Sequence, residues 1–138
     1  CFALILHSFL TTLSLSLSFL SFFLSLTYTH RCVDLGSRYC LSPTHYTIRN
    51  VHTLHHHALR NWVLQGSVDG KAWEPLIEHR NDVSVAELPD EWAAWKLPDA
   101  AAQTAYRFFC VMLTGPNAAR KRMLALGGIE LYGVLTPM

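Results

Sequence analysis

Four histidines crowd together at His52, His55, His56 and His57, and imidazole is a good ligand for zinc, copper or nickel. Adjacent histidines point in different directions, and no Cys or carboxylate stands at a usual ligand spacing beside them. The cluster therefore reads as a His-rich solvated loop, with His55 and His57 kept as contacts for a bound partner. No metal or other cofactor is expected. Cys32 and Cys40 are eight positions apart with no Cys-x-x-Cys, so neither a zinc ribbon nor a redox motif is supported. Cys110 lies in an apolar run, where a thiol packs as a small hydrophobe, and buried free thiols are the expectation. Arg120-Lys121-Arg122 is the one run of positive charge, suited to an acidic partner or to lipid headgroups. Trp92 and Trp95 could stack on a sugar face or anchor a peptide, and otherwise plug the end of a fold. A sugar site needs Trp or Tyr beside Asp, Asn or Arg on a loop, for which Trp92, Trp95 and Asn117 are the candidates. Ser, His and Asp are all present, yet no nucleophile sits on a recognisable elbow and no Gly-rich phosphate loop occurs. Glu74 and Glu78 belong to an exposed strand face. The chain is expected not to be an enzyme.

These residues must be positioned by a chain of 138 residues, enough for one ordinary domain. Formal net charge is +1, which argues against nucleic-acid binding driven by bulk charge. Charge is unevenly spread: residues 1–30 contain no Asp, Glu, Lys or Arg, but nine Leu, six Ser and five of the seven Phe. The division expected is an uncharged hydrophobic tract over 1–30 and a folded domain over 31–138. The chain opens on Cys1 and reads as a fragment or a processed product. Leu13-Ser14-Leu15-Ser16-Leu17-Ser18 has the period of a strand, whereas the length and lack of charge of the tract suit a signal or membrane helix. A basic n-region and a small-residue cleavage site are missing. Leu, Ser and Phe also share pyrimidine-rich codons, so a tract preceding a splice acceptor would translate into such text. Artefact of gene structure, signal or anchor, and genuine part of the fold all stand as readings. Membrane attachment is expected only if the tract is genuine.

From Val33 onward, short β-rich runs alternate with turn chemistry, the pattern of an all-β sandwich or barrel. Strands are predicted over Tyr39 to Arg49, Asn61 to Ser67, Ala72 to Glu78, Tyr106 to Thr114 and Ile129 to Leu135. Asp69-Gly70 between the second and third is a hairpin signal, because both residues tolerate the positive φ of a tight turn. Alternation puts Trp62 and Leu64 on one face, with Trp73 and Ile77 repeating it on the partner strand. The Tyr106–Leu113 run is apolar on both faces except at Arg107, as befits a central strand. Gly127-Gly128 reads as a bulge or bend. Residues 79–105, bounded by Pro89 and Pro98, read as a long connection with one short helix near Asp90 to Trp95. Arg49, Arg60 and Arg107 interrupt apolar strands and call for partners among Asp34, Asp69, Asp82 and Glu130, or else one lines a ligand groove.

The order of the motifs carries more than any one of them. Cys32-Val33-Asp34-Leu35-Gly36 precedes Pro43-Thr44-His45-Tyr46-Thr47-Ile48-Arg49, then Ala58-Leu59-Arg60-Asn61-Trp62-Val63-Leu64-Gln65-Gly66-Ser67 and Asp69-Gly70-Lys71-Ala72-Trp73. Tyr106-Arg107-Phe108-Phe109, Thr114-Gly115-Pro116-Asn117 and Ile129-Glu130-Leu131-Tyr132-Gly133 close the series. Over about Arg31 to Leu135 this resembles the discoidin-like, or coagulation factor 5/8 type C-like, domains, in particular the intracellular branch in HECT-type ubiquitin ligases and BTB/POZ-domain proteins. The resemblance implies a galactose-binding-like jelly-roll β-sandwich. It also implies a non-catalytic module that binds a protein or peptide, within a larger ligase or adaptor. The alternative is a secreted or membrane-attached lectin-like domain for carbohydrate or lipid headgroups. Such domains usually carry a further strand before the Asp-Leu-Gly motif, where the Leu/Ser/Phe tract stands here. Secreted members often tie their two ends with a disulfide. The last cysteine here is Cys110, and no Asn-x-Ser/Thr occurs, so a cytoplasmic setting is expected. Binding surfaces of this fold are commonly loops at one end, which directs attention to Asn50 to His57, Ser67 to Lys71 and Gly115 to Met123. The residues singled out are His55, His57, Asp69, Trp95, Asn117, Arg120 and Arg122.

Overall fold

The computed structural model describes Leu4–His7, Leu13–Ser18 and residues 29–138. Nine strands occur among them: β1 Leu4–His7, β2 Leu13–Ser18, β3 His30–Asp34, β4 Tyr39–Arg49, β5 Trp62–Ser67, β6 Glu74–His79, β7 Trp92–Lys96, β8 Phe108–Leu113 and β9 Gly128–Pro137. They form two antiparallel sheets, ordered β1-β2-β9-β4-β7 and β3-β8-β5-β6. This is the all-β sandwich expected from the turn-punctuated sequence.

Period-two alternation decides which side chains meet between the sheets. Tyr46 and Ile48 of β4 and Ile129 and Leu131 of β9 face Trp62 and Leu64 of β5 and Phe109, Val111 and Leu113 of β8 in one apolar cluster. β8 lies between β3 and β5, as its two-sided apolar sequence requires. The Asp69-Gly70 turn forms as expected. Gly70 has φ +74°, and one Asp69 carboxylate oxygen accepts the Lys71 and Ala72 N–H groups at 2.8 and 2.9 Å. Gly127 passes so close to Asn50 that a Cβ would sit 2.3 Å from its carbonyl oxygen, which explains a glycine at the entry to β9.

Three expectations are corrected. The helix expected near Asp90 to Trp95 is instead the strand β7, hydrogen-bonded to β4 with Trp92 opposite Arg49 and Trp95 opposite Tyr46. A residue run flanked by prolines and too short for a stable helix gains backbone partners by joining a sheet. Trp73 is outside β6 and only half-buried, because the register slips between Leu64 and Gln65 and breaks the expected alternation. Buried free thiols are not what forms either: Cys32 and Cys110 are directly opposed in the β3–β8 register and joined by a disulfide. Only Cys40 is a free thiol among the described cysteines. β3 was hidden in sequence by its polar composition, and without it the two cysteines have no visible relation. The Leu13–Ser18 repeat forms β2, whose Leu13 pairs with Gly133 and Ser18 with Gly128. No helix among the described residues is long and apolar enough to cross a membrane.

Candidate functional site

The sandwich has two loop ends, and hydrogen bonds decide which loops share one. At the end where β4 finishes and β5 begins, Asn117 is the junction. It is 3% exposed, its Nδ2 donates to the Met123 carbonyl at 3.0 Å and to His57 Nδ1 at 3.3 Å, and its Oδ1 accepts the Lys121 N–H at 3.0 Å. The Ala118 N–H also reaches the Ala58 carbonyl at 3.0 Å. Residues 50–57 and 115–123 are thus one surface. His57 accepts the Asn117 bond only in its neutral form, and burial, His56 and Lys121 all hold its pKa below the usual histidine value.

Beside that buried junction stand three consecutive cations. Arg120, Lys121 and Arg122 are exposed and make no ion pair among the described residues. His55 is half-buried in a short 3-10 turn, His55–His57, and its Nδ1–H donates to the His52 carbonyl at 3.1 Å. His52 Nδ1 donates to Asp90 Oδ2 at 2.7 Å, tying the 86–91 loop to the same end. Asn50, which is buried, donates from Nδ2 to the carbonyls of Ala86 at 2.6 Å and Leu88 at 3.3 Å. Among the described residues no group of three His, Cys, Asp or Glu side chains is arranged to hold a metal.

Asp69 lies at the opposite end. Its loop is tied to β8 through the Arg107 N–H, which donates to the Ser67 carbonyl at 3.1 Å, and Gly70 sits over the Phe108 ring. Asp34 and Arg107 make a two-point ion pair there at 2.7 and 2.8 Å, one of the partnerships expected for the interrupting arginines. Arg60 instead reaches Glu87 at 3.0 Å and the Val85 carbonyl at 3.0 Å. Arg49 is exposed and makes no ion pair among the described residues.

Trp95 is no loop residue but part of β7, and its environment is a buried polar network that sequence reasoning missed. The Trp62 Nε1–H donates to the Tyr46 hydroxyl at 3.0 Å, and the Tyr46 hydroxyl meets His79 Nε2 at 2.7 Å. His79 Nδ1 meets Asp82 Oδ2 at 2.7 Å, and the Trp95 Nε1–H donates to the same oxygen at 3.1 Å. The Ser84 N–H donates to Asp82 Oδ1 at 2.8 Å. One proton arrangement satisfies everything: Tyr46 donates to a neutral His79, which donates to an ionised Asp82. Burial holds the His79 pKa down against the pull of Asp82, and burial drives the Tyr46 hydroxyl well above its usual value. Burial pushes the Asp82 carboxyl up, but the Ser84 and His79 hydrogen bonds outweigh it and leave it below the usual range. The network fastens the 79–85 loop across the opening between the sheets. The only trace in sequence was a His and an Asp three apart in a polar run. The exposed indole is Trp92, at 57%.

Solved structures with this arrangement include carbohydrate-binding module CBM32-1 from a Clostridium perfringens family 31 glycoside hydrolase, with TM-score 0.53 at 12% identity over 86% of this chain and 75% of that one. A putative chitobiase fragment from Bacteroides thetaiotaomicron superposes with TM-score 0.56 at 13% identity, over 88% of this chain and 68% of that one. The chain has a discoidin-like, galactose-binding-like fold. In sequence, the discoidin-like domain is 39% identical over 105 residues to E3 ubiquitin-protein ligase hecd-1 of Caenorhabditis elegans, covering 75% of this chain and 4% of the ligase. It is 39% identical over 103 residues to E3 ubiquitin-protein ligase Ufd4 of Drosophila melanogaster, covering 73% of this chain and 4% of that one. A BTB/POZ domain-containing protein of Arabidopsis thaliana is 35% identical over 103 residues, 73% of this chain and 12% of the relative. The domain therefore spans only a small part of each of these relatives. No protein-family model matches the chain.

Proposed function

We propose that the discoidin-like domain is a non-catalytic protein-interaction module of a larger cytoplasmic ubiquitin ligase or BTB/POZ-type adaptor. Its working unit is residues 31–138, and it binds an acidic protein or peptide through the end built from residues 50–57 and 115–123. The Asn117–His57 junction supports this most directly, since it spends two buried polar side chains on fixing a surface whose Arg120, Lys121 and Arg122 remain without ion-pair partners among the described residues. Unpaired cations on a rigid platform favour a partner of opposite charge. A formal charge of only +1 for the chain leaves nucleic acid a poor fit. The relatives that are ubiquitin ligases or a BTB/POZ protein supply the setting.

The test is proximity labelling in cells and capture from extract, comparing the domain with an Arg120→Glu/Arg122→Glu variant. Recovery of ubiquitin-pathway partners that the variant loses is the expected result. Equal recovery by both proteins removes this end as the binding surface, and recovery of no such partner removes the adaptor reading itself.

A second reading, carbohydrate or lipid-headgroup binding, is favoured by the fold shared with carbohydrate-binding modules. Trp92 is the indole open to a sugar face, while Trp95 is occupied by Asp82. A glycan array on which Trp92→Ala loses the signal supports it, and a flat array for the unaltered domain counts against it.

A further inference from the structure

β3 is an edge strand, paired only with β8, and of its five residues only Val33 is buried. Two of its cross-strand anchors are the Asp34–Arg107 ion pair and the covalent bond from Cys32 to Cys110. That bond joins the middle pair of the five in register, so it holds the strand where peeling from either end would have to pass. Its two ends differ in access. Cys32 is exposed, and Cys110 is 5% exposed on the central strand.

We propose that Cys32–Cys110 is a reversible thiol–disulfide latch that sets whether β3 covers the edge of β8. The inference draws its setting from the cytoplasmic reading above, where disulfides that do form tend to be transient or redox-sensing. The opening reductant is a dithiol. One thiolate attacks the exposed Cys32 sulfur, the Cys32–Cys110 bond breaks, and Cys110 leaves as a thiolate that takes up a proton. The second thiol then attacks the mixed disulfide on the reductant's sulfur, releasing Cys32, which is protonated in turn. Two electrons and two protons pass to the protein and the dithiol becomes a disulfide. With the latch open, a strand retaining one buried side chain opens locally far more readily than the core. The edge of β8, an apolar run on both faces, is then available for pairing with another strand.

Hydrogen exchange on the full chain, with and without dithiothreitol, tests this together with alkylation mapping of the cysteines. In the oxidised protein a linked Cys32–Cys110 peptide and an alkylated Cys40 are expected. Reduction speeds exchange at residues 30–35 at least tenfold and leaves β4 and β5 unchanged, and Cys32→Ser reproduces this without reductant. Failure to recover the linked peptide overturns the proposal, as does unchanged exchange at 30–35. Loss of protection throughout both sheets also overturns it, since the bond would then hold up the whole fold and not one strand.

Discussion

The His79 imidazole lies flat on the Trp62 indole, with ring centroids 4.2 Å apart and planes 12° from parallel. A polar ring is thereby packed as a core aromatic, at 7% exposure, and it must be neutral for Tyr46 to have an acceptor. Protonating it costs the Tyr46 hydrogen bond and places a charge among apolar rings.

Acid sensitivity follows, with a definite sign. The folded pKa of His79 lies below the unfolded value, so the unfolded chain binds more protons as pH falls. Its contribution is complete above about pH 6.5 and declines as pH drops from there toward the folded value. His57 is shifted the same way and adds to the effect. Urea midpoints measured between pH 7.5 and 5 are expected to fall with acidification, and His79→Gln is expected to flatten the profile.

Tyr46→Phe strips the acceptor from Trp62 Nε1 and the donor from His79 while leaving the ring in place. A loss of about 1–3 kcal/mol in unfolding free energy is expected, as for other buried groups left unsatisfied. Denaturant titration at pH 7.5 measures it, and a neutral result would mean that solvent already satisfies both partners.

Gly127→Ala places a methyl group against the Asn50 carbonyl, a backbone atom with no rotamer to yield. Overpacking of this kind costs about 1–3 kcal/mol. Because Asn50 also fastens the Ala86 and Leu88 carbonyls, faster exchange in the 86–91 loop should accompany the lower melting temperature.

The two tryptophans of β7 should separate cleanly. Trp95→Ala removes a ring stacked on Tyr46 at 5.1 Å and a donor to Asp82, and a loss of about 3 kcal/mol is expected. Trp92→Ala, on an exposed edge, should stay within about 0.5 kcal/mol of the parent. Thermal melts of the two variants side by side decide the matter.

Asn117→Ala tests the loop junction. It leaves His57 Nδ1, the Met123 carbonyl and the Lys121 N–H without their partner, so both stability and any binding at this end should drop. Arg120→Glu with Arg122→Glu should instead keep the melting temperature and alter binding alone.

Much of this was legible from local chemistry. Alternation and turn residues place β4, β5, β8 and β9, and Asp69-Gly70 dictates its own turn, because these depend on neighbours within a few positions. β3 and β7 were not legible in that way. Each has a polar or mixed sequence whose strand state comes from a partner more than forty positions away, β8 for Cys32 and β4 for Trp92 and Trp95. The same distance explains the cysteines, since Cys32 and Cys110 are separated by 78 positions and meet only through sheet register.

By itself, then, the sequence determined the fold class, the central strands, the hairpin and the cationic run at 120–122, all properties of short-range pattern and charge. Tertiary structure decided which loops share an end, putting His57 with Asn117 and sending Asp69 away. It also turned Trp95 inward to Asp82 while leaving Trp92 in solvent, and brought Cys32 onto Cys110. Strand order and register control these outcomes, because a shift of one residue turns every side chain to the other face of the sheet.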